Sequence, residues 1–194
     1  WCQGYEERIR ALGGIGFFLG GIGPDGHVGF NVRGSDHFST TRLTEVNYET
    51  QAAAAGDLGG IEVARKRLVI TVGLGTIAYN ENACALIMAA GEAKAGIIAD
   101  AVQLEKHVNY PATALHELPN ARFYITTGAA KLLERRQLDL LLRQEEIDDE
   151  TAEKVVVDLA LKLNKKVVEL TQGDFAADEC GAALLARRSE GVEE

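Results

Sequence analysis

Apolar residues along this chain fall into two spacings, and the alternation between them predicts the fold. Ile15, Phe17, Phe18, Leu19 and Ile22 form a run too short for a helix and bounded by Gly13, Gly14, Gly20 and Gly21, which reads as a short buried strand. Residues 68–72 (LVITV) are β-branched and apolar and read as a buried parallel strand; residues 83–90 and 121–127 read as two more. Helical spacing separates these runs. Tyr5, Ile9 and Leu12 share one face of a helix over residues 6–12 that stops at Gly13 and Gly14. Residues 46–55 are alanine-rich and stop at Gly56, residues 91–102 open on GEAK, and a further helix runs from beyond Gly128 to about Gln144. Strands alternating with helices predict an α/β fold, a parallel sheet flanked by helices.

The first strand empties into residues 19–32, LGGIGPDGHVGFNV, which place Asp25 and His27 just past its carboxyl end. In open α/β sheets that end is where ligands bind. Three readings of the stretch compete. Gly21, Gly23 and Gly26 spell G-x-G-x-x-G, but that fingerprint needs a helix starting at the third glycine, and residues 27–35 contain Gly29, Asn31 and Gly34 with no helical period. The second reading is a tight turn closed by His27. The third is an acid/base pair, because histidine titrates near neutrality and a carboxylate two residues away fixes its tautomer and raises its basicity. Gly21 and Gly23 would then let the backbone approach a ligand closely.

Further along, residues 33–42 read as a long polar loop, and a second glycine turn, residues 73–76 (GLGT), offers backbone N–H groups and the Thr76 hydroxyl to a sugar or phosphate oxygen. Lys94 stands in the first turn of its helix, where the dipole disfavours a cation, a local conflict that suggests a job. Arg65, Lys66 and Arg67 read either as further anion contacts or as a solvated basic turn. His37, His107 and His116 read as ordinary surface histidines, His116 lying in a segment that could also border the pocket.

Composition narrows the function. A formal charge of −9 argues against nucleic acid or an anionic membrane as the main partner, so local basic residues must supply any anion site. No apolar stretch approaches the ~20 residues that span a bilayer. Cys2, Cys84 and Cys180 are odd in number and far apart, which suggests neither disulfides nor a metal site and points to a reducing cytoplasm, Cys84 being a small buried hydrophobe. From Glu145 the composition turns acidic: residues 136–194 hold 8 Lys+Arg against 15 Asp+Glu, residues 1–135 hold 12 against 14. Two regions follow, an α/β domain over 1–135 and an acidic helical extension over 136–194. Asp148 or Thr151 caps an amphipathic helix there whose Val155, Val156, Leu159 and Leu163 pack on the core, followed by a mobile terminus. The start at Trp1 reads as processing or as a fragment.

GGIGPDGHVGFN, TVGLGTI at residues 71–77 and GEAKA at residues 91–95 resemble, in order and spacing, the glucosamine-6-phosphate deaminase/isomerase family, relatives of the 6-phosphogluconolactonases. The resemblance covers about Tyr5 to Leu133, the second half of that domain, and implies a partial Rossmann-like fold whose N-terminal half is missing. It implies an isomerase/deaminase of amino-sugar phosphates, with His27 opening the sugar ring, Asp25 orienting it, Lys94 on the substrate phosphate and Gly21, Gly23 and Thr76 lining the substrate, without cofactor or metal. Arg42 falls at an arginine of a second, regulatory phosphate site. Three positions depart from the family: Val32 replaces a glutamate that completes the triad, Gly56 an arginine that grips phosphate, and Thr44 a basic residue of the second site. The carboxylate base and a phosphate loop belong to the family's first half. Two other classes stay open, a lactonase-like hydrolase and a sugar-phosphate-binding module without catalysis. A hexose phosphate is the expected partner, and both a homo-oligomer and attachment to a further domain remain open.

Overall fold

The computed structural model describes residues 1–57, 59–66 and 68–189. They divide into two compact units, Trp1–Lys131 and Leu132–Glu194. The first contains, in order, α1 (Cys2–Ala11), β1 (Phe17–Gly21), β2 (Arg42–Thr44), α2 (Tyr48–Ala53), α3 (Ile61–Ala64), β3 (Val69–Thr71), α4 (Leu74–Ile77), β4 (Cys84–Ala89), α5 (Ala95–Gln103) and β5 (Arg122–Ile125). A three-stranded parallel sheet, ordered β1-β4-β5, lies at its centre, with Phe17 opposite Cys84 and Leu86 opposite Arg122. This is an α/β fold with helices flanking a parallel sheet.

Strand alternation sends Ala85 and Ile87 of β4 into the core, where Ile98 and Ala101 of α5 are also buried. The register puts Gly21, Met88 and Tyr124 side by side on the other face. On that face Phe17 is 59% and Tyr124 61% exposed, and Leu19 and Met88 are exposed too, so β1, expected to be buried, is half-buried at Phe18 and Gly20 and open on the other side. A five-residue apolar run reports a strand but not how many of its faces are covered.

Residues 68–72 depart further from expectation. β3 does not join the parallel sheet; it pairs antiparallel with β2 in a separate two-stranded sheet, Leu43 opposite Ile70, and both side chains are exposed. The partner strand comes from the end of the polar loop, a segment whose composition carries no strand period. After Phe30 that loop runs against the second glycine turn. A Cβ on Gly73 would stand 2.0 Å from the Ser39 carbonyl oxygen, and one on Gly75 2.8 Å from the Phe38 backbone. Those glycines make room for another part of the chain.

The second unit holds α6 (Glu134–Arg143), α7 (Asp149–Leu163), α8 (Gln172–Ala177) and α9 (Glu179–Ser189). Asp148 caps α7, its side chain accepting the Thr151 N–H at 2.7 Å, and Asp149 and Glu150 favour the positive end of the helix. Leu138, Leu141, Leu159 and Leu184 bury its core. Of the four apolar α7 positions expected to pack, Leu159 is buried while Leu163 is exposed. Lys162 pairs with both Glu134 and Asp178 at 3.0 Å. α8 opens on a capping box between Thr171 and Asp174, and Lys165, with the Thr171 backbone and hydroxyl, holds the Asp174 carboxyl down to about 2. The expected mobile terminus is therefore helical through Ser189, and residues 190–194 lie outside the described residues.

Gly73→Ala is expected to cost about 2 kcal/mol or more, because the added methyl meets backbone that cannot swing aside. Gly16→Ala, with nothing within 4 Å, is expected to change stability by less than about 0.5 kcal/mol. Thermal unfolding of both variants checks the contrast; equal stabilities would contradict the packing of the loop on this turn.

Candidate functional site

Backbone bonds from Gly23 N–H to the His27 carbonyl, 2.9 Å, and from Gly26 N–H to the Gly23 carbonyl, 3.1 Å, close the turn after β1. The His27 imidazole lies directly over Gly23, where a Cβ would come within 1.9 Å of its Cε1. Only glycine leaves the ring that position. His27 Nδ1 then stands 2.5 Å from Asp25 Oδ1, with the histidine side chain 13% and the aspartate side chain 5% exposed. Phe30 stacks near the imidazole at 6.3 Å between centroids.

The second oxygen of Asp25 is also occupied. It accepts the Arg33 backbone N–H at 3.0 Å and the Asn47 side-chain amide at 2.6 Å. Burial alone would raise this carboxyl, but the bonds from His27, Arg33 and Asn47 and the charge of His27 outweigh it and hold the group well below the usual carboxylate range. An ionised Asp25 only accepts, so the proton between them sits on Nδ1, and in the neutral imidazole that leaves the lone pair on Nε2. That arrangement can take a proton from a substrate hydroxyl and return it to a neighbouring oxygen, with the carboxylate stabilising the imidazolium formed between.

Lys94 reaches the same turn. It sits at the N-cap of α5, and its Nζ donates to the Ile22 carbonyl at 2.9 Å. Gly21 is the last residue of β1, paired with Met88. The structure thus brings Asp25, His27, Gly21, Gly23 and Lys94 to one end of β1.

Thr76 is a correction. It is 1% exposed, and its hydroxyl donates to the buried Glu6 carboxylate at 2.6 Å. The nearby N–H groups are also taken: Gly75 donates to the Ser39 carbonyl and Leu74 to its hydroxyl. The second glycine turn binds the protein's own loop through Leu74 and Gly75. Glu6 also accepts the Thr41 N–H at 2.8 Å, and these hydrogen bonds keep its carboxyl below the ordinary value against the opposing effect of burial.

Arg42 donates to Asn31 Oδ1 at 2.8 Å and to the Ser35 hydroxyl at 3.1 Å, and burial pushes its guanidinium below the ordinary value. It lines an open cavity of about 590 Å³ along the loop, together with Val32, Arg33, Ser35, Thr40 and Thr44; neither Asp25 nor His27 is among the lining residues. Arg65 is exposed and near Glu62, and Arg67 lies outside the described residues. His37 is another correction. It is buried, not superficial, because the loop folds onto residues 105–117: Gly34 N–H donates to the Val108 carbonyl, and Lys106 lies over the Phe38 ring. Burial and then Lys106 lower its imidazole from the ordinary value. His116 is exposed and bonds the Ala101 carbonyl at 2.7 Å, and Cys84 is half-buried on β4.

Sequence reasoning missed Asn47, Thr50, Asn31 and Glu6. Asn47 carried a usable signal, being a favoured N-cap residue directly before an alanine-rich helix. Asn31, buried and bonded to the Val28 and Val72 carbonyls, carried none beyond its polarity. Among the described residues no helix is long and apolar enough to cross a membrane.

No family model matches the chain. A glucosamine-6-phosphate deaminase of Giardia intestinalis is 33% identical over 133 residues, 69% of this chain and 49% of that protein. One from Bacillus velezensis is 36% identical over 129 residues, 66% of this chain and 52% of that protein. A solved structure described as a monomeric glucosamine-6-phosphate deaminase, missing link of the NagB superfamily, superposes with a TM-score of 0.62 and 30% identity over 68% of this chain and 53% of that one. The chain spans about half the length of the curated relatives it matches. By motif, sequence and fold, this chain is a homologue of the glucosamine-6-phosphate deaminases, corresponding to the C-terminal part of their length.

Proposed function

We propose that this chain carries the ring-opening and phosphate-holding part of a glucosamine-6-phosphate deaminase/isomerase, which converts glucosamine 6-phosphate and water to fructose 6-phosphate and ammonia. The observation that carries the reading is the Asp25–His27 pair, with Lys94 reaching the same turn. His27 Nε2 takes the proton of the anomeric hydroxyl and delivers one to the ring oxygen, opening the pyranose, while Asp25 keeps the other nitrogen protonated and offsets the charge. Lys94 and the start of α5 hold the substrate phosphate, as cations and helix N-termini do. A carboxylate then moves the C2 proton to C1 through an enolamine, and water displaces the amino group as ammonia. In the family the sequence resembles, that carboxylate lies in the first half of the domain.

Arg42 and Ser35, facing the loop cavity, form the second anion site in this reading. The free cysteines among the described residues fit the reducing cytoplasm expected from the sequence. A second reading, a sugar-phosphate-binding module without turnover, is favoured by Val32, which stands where the family the sequence resembles has the glutamate that completes the triad.

Ammonia release and a thermal-shift titration with glucosamine 6-phosphate separate the two readings. With the first half of the domain supplied, the deaminase reading expects release that His27→Ala lowers about 10²–10⁴-fold, the span of positioned acid/base catalysis. Ligand stabilisation without release would favour the binding module, and neither signal would sink both. Lys94→Met is expected to weaken the ligand shift about 10- to 100-fold in concentration, the worth of one charge-assisted bond.

Acid sensitivity follows from Asp25. Its folded-state carboxyl is depressed, so its contribution to stability is fully present above the ordinary carboxylate value and is lost as pH falls below about 4. Asp25→Asn is expected to cost about 2 kcal/mol at pH 7, with the gap to wild type narrowing towards pH 3. Urea unfolding at both pH values checks it; a gap that widens on acidification has the wrong sign.

A further inference from the structure

Asp25 is held from two directions. His27 meets Oδ1 from within the same turn, whereas Asn47 meets Oδ2 from 22 residues further along the chain. Asn47 uses the two ends of its amide differently. Its Oδ1 accepts the Thr50 N–H at 3.0 Å and so caps α2; its Nδ2 donates to Asp25 at 2.6 Å. Thr50, whose N–H the cap satisfies, is itself buried, and its hydroxyl lies 3.2 Å from His27 Nδ1. The first turn of α2 therefore touches both members of the pair.

We propose that Asn47 is the positioning residue of the pair: its donated bond fixes the rotation of the Asp25 carboxylate so that the opposite oxygen faces His27 Nδ1. Carboxylate rotation about χ2 is soft and nearly two-fold, so a bond to Oδ1 alone leaves the group free to tilt. The Arg33 N–H arrives on Oδ2 as well, but at 3.0 Å it is the longer of the two bonds to that oxygen. A charge-assisted N–H to carboxylate bond of this length is among the stronger ones available to an amide. Asparagine suits the position because the position needs an acceptor for the cap and a donor for the carboxylate at once. Aspartate would keep the cap and place a second carboxylate against the first; serine would keep the cap and lack the amide donor.

The catalytic meaning of this role rests on the deaminase reading, but the geometry can be tested without substrate. In the 194-residue chain labelled with ¹⁵N-histidine, wild-type His27 is expected as the Nδ1–H tautomer with a strongly deshielded Nδ1 proton. Asn47→Ser and Asn47→Asp are each expected to keep the helical circular dichroism while losing that proton signal and moving His27 towards a mixture of tautomers. An unchanged His27 spectrum in a folded Asn47→Ser variant would overturn the proposal, since a residue that only caps α2 would leave the imidazole alone. The serine variant keeps the test decisive if the aspartate variant does not fold. Loss of the signal in a protein that neither binds nor turns over glucosamine 6-phosphate would uphold the positioning role and defeat the deaminase reading, so the two failures are distinguishable.

Discussion

A carboxylate that is 95% removed from water must be partnered on both oxygens, and the first unit is arranged around meeting that demand at Asp25. The partners come from three parts of the chain: the imidazole two residues on, the backbone where the polar loop begins, and the cap of α2. Each bond fixes a segment that composition alone would leave free. The loop must leave the turn through Arg33, and α2 must start at Asn47. The same bonds keep the carboxylate ionised, which is the state in which it can hold a proton on His27 Nδ1. Structural satisfaction of a buried charge and preparation of an acid/base pair are here one set of hydrogen bonds.

Glu6, a second buried carboxylate of the same unit, takes both of its hydrogen bonds on one oxygen, Oε1. It joins α1 to the end of the polar loop through Thr41 and to α4 through Thr76. The two glycine turns, similar in sequence, thereby part in role. At the first, Gly23 clears space for a functional side chain; at the second, Gly73 and Gly75 clear space for the loop backbone. Arg42 and the buried Asn31 extend the network, tying β2 to the carbonyls on either side. The loop that read as irregular is among the more heavily bonded parts of the unit.

The parallel sheet is covered on one face and bears Phe17, Leu19, Met88 and Tyr124 in the open on the other. Parallel sheets are ordinarily covered on both sides, and this chain spans about half the length of its relatives. The second unit has its own helical core and its own ion pairs, built on Leu159, Leu184 and Lys162.

The amino-acid sequence by itself determined the parallel strands, read at 15–22, 83–90 and 121–127 and formed at 17–21, 84–89 and 122–125, the helices between them, the Asp25–His27 turn, and Lys94 at the head of α5. These are local: short apolar runs, glycine stops and a two-residue spacing act through neighbours in the chain. Only the tertiary structure decided that residues 69–71 pair with a strand from the polar loop, that Thr76 faces Glu6, that His37 is buried, and that Asn47 reaches Asp25. Those outcomes depend on which distant segment arrives at a given surface. Periodicity reports that a residue prefers a strand, a cap or an interior, and the partner that satisfies the preference is chosen by the global packing of buried polar groups.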